Sequence, residues 1–242
     1  VTPSDKSTKR TKPTIIAAIP CLDEEQFISD IVTRTCRYVD KVIVVDDGST
    51  DDTSAVAKTA GAEVIRHEMR QGAGTATRSA FGAAKSYDAD VLVTLDGDGQ
   101  HNPDDIPQVL APVLSGEADL VVGSRFLQPT QRTNIRRYRK FGIDVITWLY
   151  NLGSKIKVFD SQSCFRAHSR RLLEAVDIAE SGFGFSVEVL IKARRKGFVI
   201  TEVPISCVYH SRGSSLNPVA HGLGVAFSVI RLRLRNETRV DK

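Results

Sequence analysis

The sequence has no uninterrupted apolar run of the roughly 18 residues that a bilayer-spanning helix needs. Its greasiest stretches, 141–152 and 223–234, are broken by Asp144 and by Arg231 and Arg233. A chain that spans a membrane is therefore not expected. The first residues also lack an apolar segment of the signal-peptide kind, so no secretory signal is expected. Cysteine is scarce: Cys21, Cys36, Cys164 and Cys207 form no CxxC pair. That spacing argues against a disulfide scaffold or a zinc centre and for a reducing cytosol. There is no internal repeat and no Pro/Gly-rich linker that would mark off a second domain. What remains is 242 residues with 41% hydrophobic and 26% charged side chains, enough to bury one large core.

The net charge of +4 hides an uneven distribution. Residues 1–12 are basic and Pro/Ser/Thr/Lys-rich, and read as a disordered tail. Residues 13–124 hold 8 basic and 19 acidic side chains, whereas 125–242 hold 21 basic and 9 acidic. An acidic half suits a metal ion, and a basic half suits a phosphate or an anionic membrane surface. Mutual neutralisation across one folded surface explains the split equally well on charge alone.

Along the chain, apolar runs of strand length alternate with helical patterns. Strands are expected at 14–19, 41–45, 63–66, 91–95 and 119–122. Helices are expected at 24–36, 51–60, 74–86 and 103–114. Continuous apolar strands between helices predict a mostly parallel sheet covered on both faces, with ligands beyond the carboxyl ends of its strands. The second half is less regular. It offers a basic segment from 132 to 157 wrapped around Ile143, Ile146, Trp148, Leu149 and Leu152, a helix at 185–196, a strand at 198–203 and a basic amphipathic helix at 219–235.

Three polar clusters fall at strand ends. Asp96-Gly97-Asp98-Gly99-Gln100 follows a buried strand; two carboxylates on one turn can share a hard cation such as Mg2+ or Mn2+, which keeps coordination sites open for phosphates. Asp46-Asp47-Gly48-Ser49-Thr50-Asp51 reads partly as a turn and N-cap. Asp46 and Asp47 exceed capping needs and could accept from a base N–H or a ribose hydroxyl. Pro20-Cys21-Leu22-Asp23-Glu24-Glu25 opens a helix whose acidic first turn suits the dipole. QGAGTAT at 71–77 follows the third strand and lacks the third glycine of a dinucleotide fingerprint, so NAD binding is rejected.

Taken together, in this order, these stretches resemble the nucleotide-sugar half of a family 2 glycosyltransferase with the GT-A fold. Leu22 and Asp23 depart from the aromatic and Asn more usual there. Further on, Gly123-Ser124-Arg125-Phe126, Asp160 to Arg166, Glu188 to Pro204 and Arg212 to Leu216 are similar to the dolichyl-phosphate mannose synthase branch and its polyprenyl-phosphate relatives. Cys164 stands where that branch usually has Gly. The resemblance covers residues 13–216, with 13–124 as donor half, 125–216 as acceptor half and 217–242 as a C-terminal helix and tail. It implies a single α/β domain and an inverting, metal-dependent transfer from a nucleotide-diphosphate sugar to a polyprenyl or dolichyl monophosphate. It also implies metal ligands Asp96, Asp98 and Gln100, and donor contacts from Pro20, Cys21, Asp23, Glu24, Asp46, Asp47, Gly74, Asp96 and Gly97. Acceptor-phosphate contacts are implied for Arg125, one of Arg136, Arg137 and Arg139, Arg212 and Ser214, with Asp98 and Arg125 nearest the chemistry.

The expected setting is the cytosolic face of a membrane, held peripherally or through a membrane subunit, with no role for nucleic acid. Glu188 reads as a partner of Lys192 at i+4 rather than a base. His101 reads as an outer-shell group of the metal site, and the other histidines as structural or surface. Trp148 reads as core or as an interfacial anchor. Rival readings are a transferase to a hydroxyl, for which Asp160 or Glu188 would be the base, a sugar-1-phosphate nucleotidyltransferase, and a nucleotide-binding module without turnover.

Overall fold

The computed structural model describes residues 12–127, 137–154, 157–208 and 218–234. The acidic half is a run of strand–helix units. β1 (Ile15–Cys21), β2 (Lys41–Asp46), β3 (Glu63–Arg66) and β4 (Val91–Thr94) alternate with α1 (Ile28–Thr35), α2 (Thr53–Thr59) and α3 (Ala73–Ser86). A 3-10 turn (Pro103–Asp105) and α4 (Ile106–Leu114) then lead to β5 (Leu120–Ser124). The basic half supplies α5 (Arg137–Asn151), β6 (Arg166–Ser169), α6 (Arg170–Ala175), α7 (Phe185–Arg195), β7 (Ile200–Pro204) and α8 (Pro218–Leu234).

All seven strands form one sheet in the order β3-β2-β1-β4-β6-β5-β7. Every pairing is parallel except those of β6, which runs antiparallel to both β4 and β5. Successive side chains of a strand point to opposite faces, and the two cores follow that alternation. Ile16, Ala18, Ile43, Val45, Leu92, Leu120 and Val122 face the layer of α3, α5, α6, α7 and α8. Ile15, Ala17, Ile19, Val42, Val44, Val93 and Val121 face α1 and α4. A sheet buried on both faces is why these strands read as continuous apolar runs.

The expected parallel α/β architecture of the acidic half is present. The first helix begins at Ile28 rather than at 24, because residues 24–27 are spent on a turn that carries the β1 loop outward. One strand escaped the sequence reading altogether. β6 is only Arg-Ala-His-Ser, with no apolar run, yet it fills the sheet's centre and joins the two halves.

Candidate active site

The register gathers the chemistry at one edge. Cys21 ends β1 opposite Asp46 of β2, and Ala18 lies opposite Thr94 at the end of β4. Because β6 enters antiparallel, its first residue, Arg166, sits opposite both Thr94 and Val122. The carboxyl ends of β1, β2, β4 and β5 and the segment leading into β6 therefore open on the same side.

The loops after β1 and β2 are laced together. Asp23 adopts a left-handed backbone (φ 57°), its N–H donates to Ser49 Oγ at 2.9 Å, and its Oδ1 accepts the Thr50 N–H at 2.7 Å. The N–H of Glu24 donates to Thr53 Oγ1, and Glu25 and the 51–52 backbone exchange bonds in the same way. Asp46 is fully buried and accepts the Ser49 N–H at 2.7 Å, with Ser54 Oγ and Arg66 completing its shell. Burial alone would raise this carboxyl, but those donors hold it below its ordinary value. Asp47, also buried, accepts from the N–H groups of Gln71 (2.9 Å) and Gly72 (2.7 Å) and from His67 Nδ1 (2.8 Å). Both carboxylates thus turn into the loops and set their shape.

Gly74 faces the protein's own chain. Its N–H donates to Ser181 O at 2.7 Å, and an added Cβ would lie 2.0 Å from Glu180 O. At Gly97 an added Cβ would meet the Cβ of Cys21 at 2.9 Å, so only a glycine lets the 96–100 turn close over the end of β1. The Cys21 thiol is buried, and burial pushes its pKa upward.

On that turn Asp96, Asp98 and Gln100 are each partly exposed. The Gln100 N–H and side-chain amide donate to the two oxygens of Asp98 at 3.0 and 2.5 Å. The neighbouring Glu24 carboxyl is pushed up to about 7, first by burial and then by the charges of Asp98 and Asp96. A strongly negative potential therefore collects where β1 and β4 end. His101 lies buried behind the turn and accepts the Asp96 N–H on Nδ1 at 3.3 Å. Burial pushes its pKa down to about 4, so at neutral pH the ring is uncharged with its proton on Nε2.

The positive side is equally built. Arg125, directly after β5, grips the buried Asp160 through Nε (2.7 Å) and Nη2 (2.8 Å), and its backbone N–H adds a third bond at 3.1 Å. Burial would raise Asp160, but the Arg125 charge and these bonds keep it low. Asp98, Arg125 and Asp160 all act electrostatically on His101, so the acidic turn and the ion pair lie within electrostatic reach of one ring. Arg166, fully buried, donates to the carbonyls of Ser161, Ser163 and Ser186 and so fixes the 160–165 segment. The Nε2 of Gln162 in that segment is buried and has no hydrogen-bond partner among the described residues.

Of the remaining expected residues, Glu188 pairs with Lys192 at 3.0 Å and also accepts the N–H groups of Ala179 and Glu180. Arg137 and Arg139 lie in the first turn of α5. Arg136, Arg212 and Ser214 lie outside the described residues. Sequence reasoning gave Arg166 no role of its own, although it closes the 160–166 stretch, and read His67 only as structural or surface; the fold makes His67 a bridge from Asp47 to Ser79 of α3. The partners of both come from distant residues, which only the fold supplies.

The profile of glycosyl transferase family 2 matches residues 16–190, the span that carries all of this geometry up to α7. The chain belongs to that family. Among its relatives is the UDP-N-acetylglucosamine--dolichyl-phosphate N-acetylglucosaminyltransferase of Methanococcus voltae, 31% identical over 91% of this chain and 96% of the relative. The undecaprenyl-phosphate mannosyltransferase of Micrococcus luteus is 32% identical over 91% and 98%. The glucosyl-3-phosphoglycerate synthase of Mycobacterium tuberculosis, crystallised with Mn2+, UDP and glucosyl-3-phosphoglycerate, superposes with a TM-score of 0.74. It is 26% identical, over 91% of this chain and 80% of that one. This family 2 protein is thus a glycosyltransferase with the GT-A fold.

A divalent cation fits the residues present. Among the described residues no three His, Cys, Asp or Glu side chains converge on one point, so a closed protein cage is not on offer. Two carboxylates and an amide oxygen on a half-exposed turn are instead the open, oxygen-only donor set that Mg2+ or Mn2+ accepts when water and substrate phosphate complete the shell. The raised Glu24 carboxyl reports the same excess of negative potential.

Proposed function

We propose that this protein transfers a sugar from a nucleotide-diphosphate donor to a polyprenyl or dolichyl monophosphate, with inversion at the anomeric carbon. The observation that carries the reading is the meeting, at one sheet edge, of an acidic turn and a buried arginine ion pair. The two carboxylates in line to act as a base are both engaged: Asp160 is gripped by Arg125, and Glu188 by Lys192 and two backbone donors. A phosphate acceptor has no need of one. Its second pKa is near 6, so at neutral pH it is mostly dianionic and already nucleophilic. The hydroxyl-acceptor reading, which requires a base, loses both of its candidates.

On the donor side, the loops bearing Pro20, Cys21, Asp23 and Glu24 and bearing Asp46 and Asp47 form the nucleotide wall. Asp46 and Asp47 act by holding those loops in shape, and Gly74 by seating α3 against the 180–181 backbone. Asp96, Asp98 and Gln100 would hold the cation, with Gly97 keeping that turn close to the end of β1. The cation's role is to offset charge growing on the leaving diphosphate. On the acceptor side, Arg125, held by Asp160 through Nε and Nη2, fixes a guanidinium charge at the acceptor end, where a cation suits phosphate. The resemblance adds one of Arg136, Arg137 and Arg139, with Arg212 and Ser214, as further contacts to the acceptor phosphate. An acceptor phosphate oxygen attacks the anomeric carbon from the face opposite the diphosphate. The bond from that carbon to the diphosphate oxygen breaks, and the nucleoside diphosphate leaves with the electron pair. The two relatives, with lipid-phosphate acceptors in their names at over 90% coverage, support this acceptor class.

The test is capture of label in an organic phase. Purified protein is incubated with Mg2+ or Mn2+, a polyprenyl phosphate and, in parallel, radiolabelled GDP-mannose, UDP-glucose and UDP-N-acetylglucosamine. Label moves into lipid from one donor and not with Asp98→Ala. Label entering a sugar hydroxyl acceptor but never the lipid phosphate overturns the proposal.

A further inference from the structure

Strand β7 carries a carboxylate where its pattern asks for an apolar side chain. Ile200 is buried in the layer that includes α5, and Val203 packs on the opposite face of the sheet. Alternation therefore turns Glu202 to the side of Ile200, in register with Val122 of β5. The residue is only partly exposed, and burial raises its carboxyl above the ordinary value. A carboxylate in such a place is costly unless donors meet its oxygens.

The donors come from the segment that delivers Asp160. Residues 157–165 form neither strand nor helix, so their N–H groups have no ladder to join and need other acceptors. The N–H groups of Phe159 and Asp160 donate to the two oxygens of Glu202 at 2.6 and 2.9 Å. From the other side, Asn151 of α5 accepts the Val158 N–H at 3.0 Å and donates to its carbonyl at 2.8 Å. The hydroxyls of Thr147 and Ser161 lie 2.9 Å apart. Glu202 also accepts the hydroxyl of Ser124, the residue before Arg125. One carboxylate thus joins the two stretches of chain that carry the ion pair, and Asp160 in turn takes three bonds from Arg125.

We infer that Glu202 is a positioning residue for the acceptor end. It fixes the 159–160 backbone, and through it the Asp160 carboxylate and the place of the Arg125 charge. Its kinetic consequence rests on the proposed acceptor class; its hold on the ion pair does not.

Glu202→Gln keeps the size and one acceptor but turns an NH2 group toward one of the backbone donors. The full chain, with isotope-labelled arginine, is followed by NMR for exchange of its guanidinium Nε–H groups with water, and single Arg→Lys variants identify the signals. Arg125 Nε–H is held by Asp160, whereas the buried Arg166 Nε–H is held by the Ser163 carbonyl at 2.8 Å. In Glu202→Gln the Arg125 group exchanges about tenfold faster, as loss of one bond to a charged group implies. The Arg166 group stays within about twofold of the parent rate, since the opening is local. In steady-state kinetics KM for polyprenyl phosphate rises by about tenfold, and KM for the nucleotide sugar does not change. Added to Asp160→Asn, the substitution raises the acceptor KM no further, because Glu202 acts through Asp160. Equal acceleration of both arginine signals, or equal rises in both KM values, marks a general loosening and overturns the inference. An acceptor KM that stays at the parent value, or that rises additively in the double variant, overturns it too. If the parent transfers sugar to no lipid phosphate, the proposed reaction falls, and the exchange comparison alone decides whether Glu202 holds the pair.

Discussion

The ion pair between Arg125 and Asp160 gives a prediction that can be worked through from geometry. Asp160 is fully buried, and its two oxygens accept three bonds from Arg125, from Nε, Nη2 and the backbone N–H, at 2.7, 2.8 and 3.1 Å. Asp160→Asn keeps the shape, removes the charge and turns one acceptor into a donor facing the guanidinium. The stranded buried cation costs roughly 3–5 kcal/mol. For a domain of this size that lowers Tm by about 6–20 °C. Replacing both partners, as in Arg125→Met with Asp160→Leu, removes the uncompensated charge and recovers most of the loss. Differential scanning calorimetry of the parent, Arg125→Met, Asp160→Leu and the double variant forms a complete cycle, with Asp160→Asn measured beside it. If Asp160→Asn loses less than about 1 kcal/mol, or the double variant is as damaged as the sum of the singles, the pair is not the fixed unit described. Its orienting role at the acceptor then falls too.

Other predictions follow from the same structure. Arg125→Lys keeps a charge but loses the fork, so it raises KM for polyprenyl phosphate more than KM for the nucleotide sugar in steady-state kinetics; equal effects on both would place the residue elsewhere. Gly74→Ala drives a methyl against the Glu180 carbonyl and costs about 1–3 kcal/mol or more in denaturant unfolding; a neutral result would mean that the 180–181 backbone yields freely. Burial pushes His168 down to about 3, so the unfolded chain binds a proton from about pH 6.5 downward that the native state refuses. Stability is full above that pH and falls on acidification with a slope approaching about 1.4 kcal/mol per unit. His168→Phe removes this share of the slope, and an unchanged pH profile of Tm refutes the assignment.

Much of the acidic half was legible because its strands are buried on both faces. Such strands carry their burial in their own composition, as the apolar runs of β1, β2 and β4 do. The turns that end them announce themselves through Gly and Asp. Asp96, Asp98 and Gln100 share one exposed turn, as five consecutive residues with two glycines should. The i+4 pairing of Glu188 with Lys192 was readable for the same local reason.

Only the tertiary structure decided the rest, because the deciding contacts join residues far apart in the chain. β6 has no apolar signal; its place comes from pairing with β4 and β5 on either side. Asp46 and Asp47 promised outward acceptors, but the folded loops consume both with donors from residues 49–72. Helix α5 is apolar on two faces, and its sequence cannot say which one meets the sheet. The fold buries the face of Ile143 and Ile146 and leaves that of Trp148 to solvent. Local pattern thus set the strands, the turns and the carboxylate-bearing 96–100 loop. Long-range packing chose which charges were paired, which carboxylates were spent, and which apolar face of α5 stayed exposed.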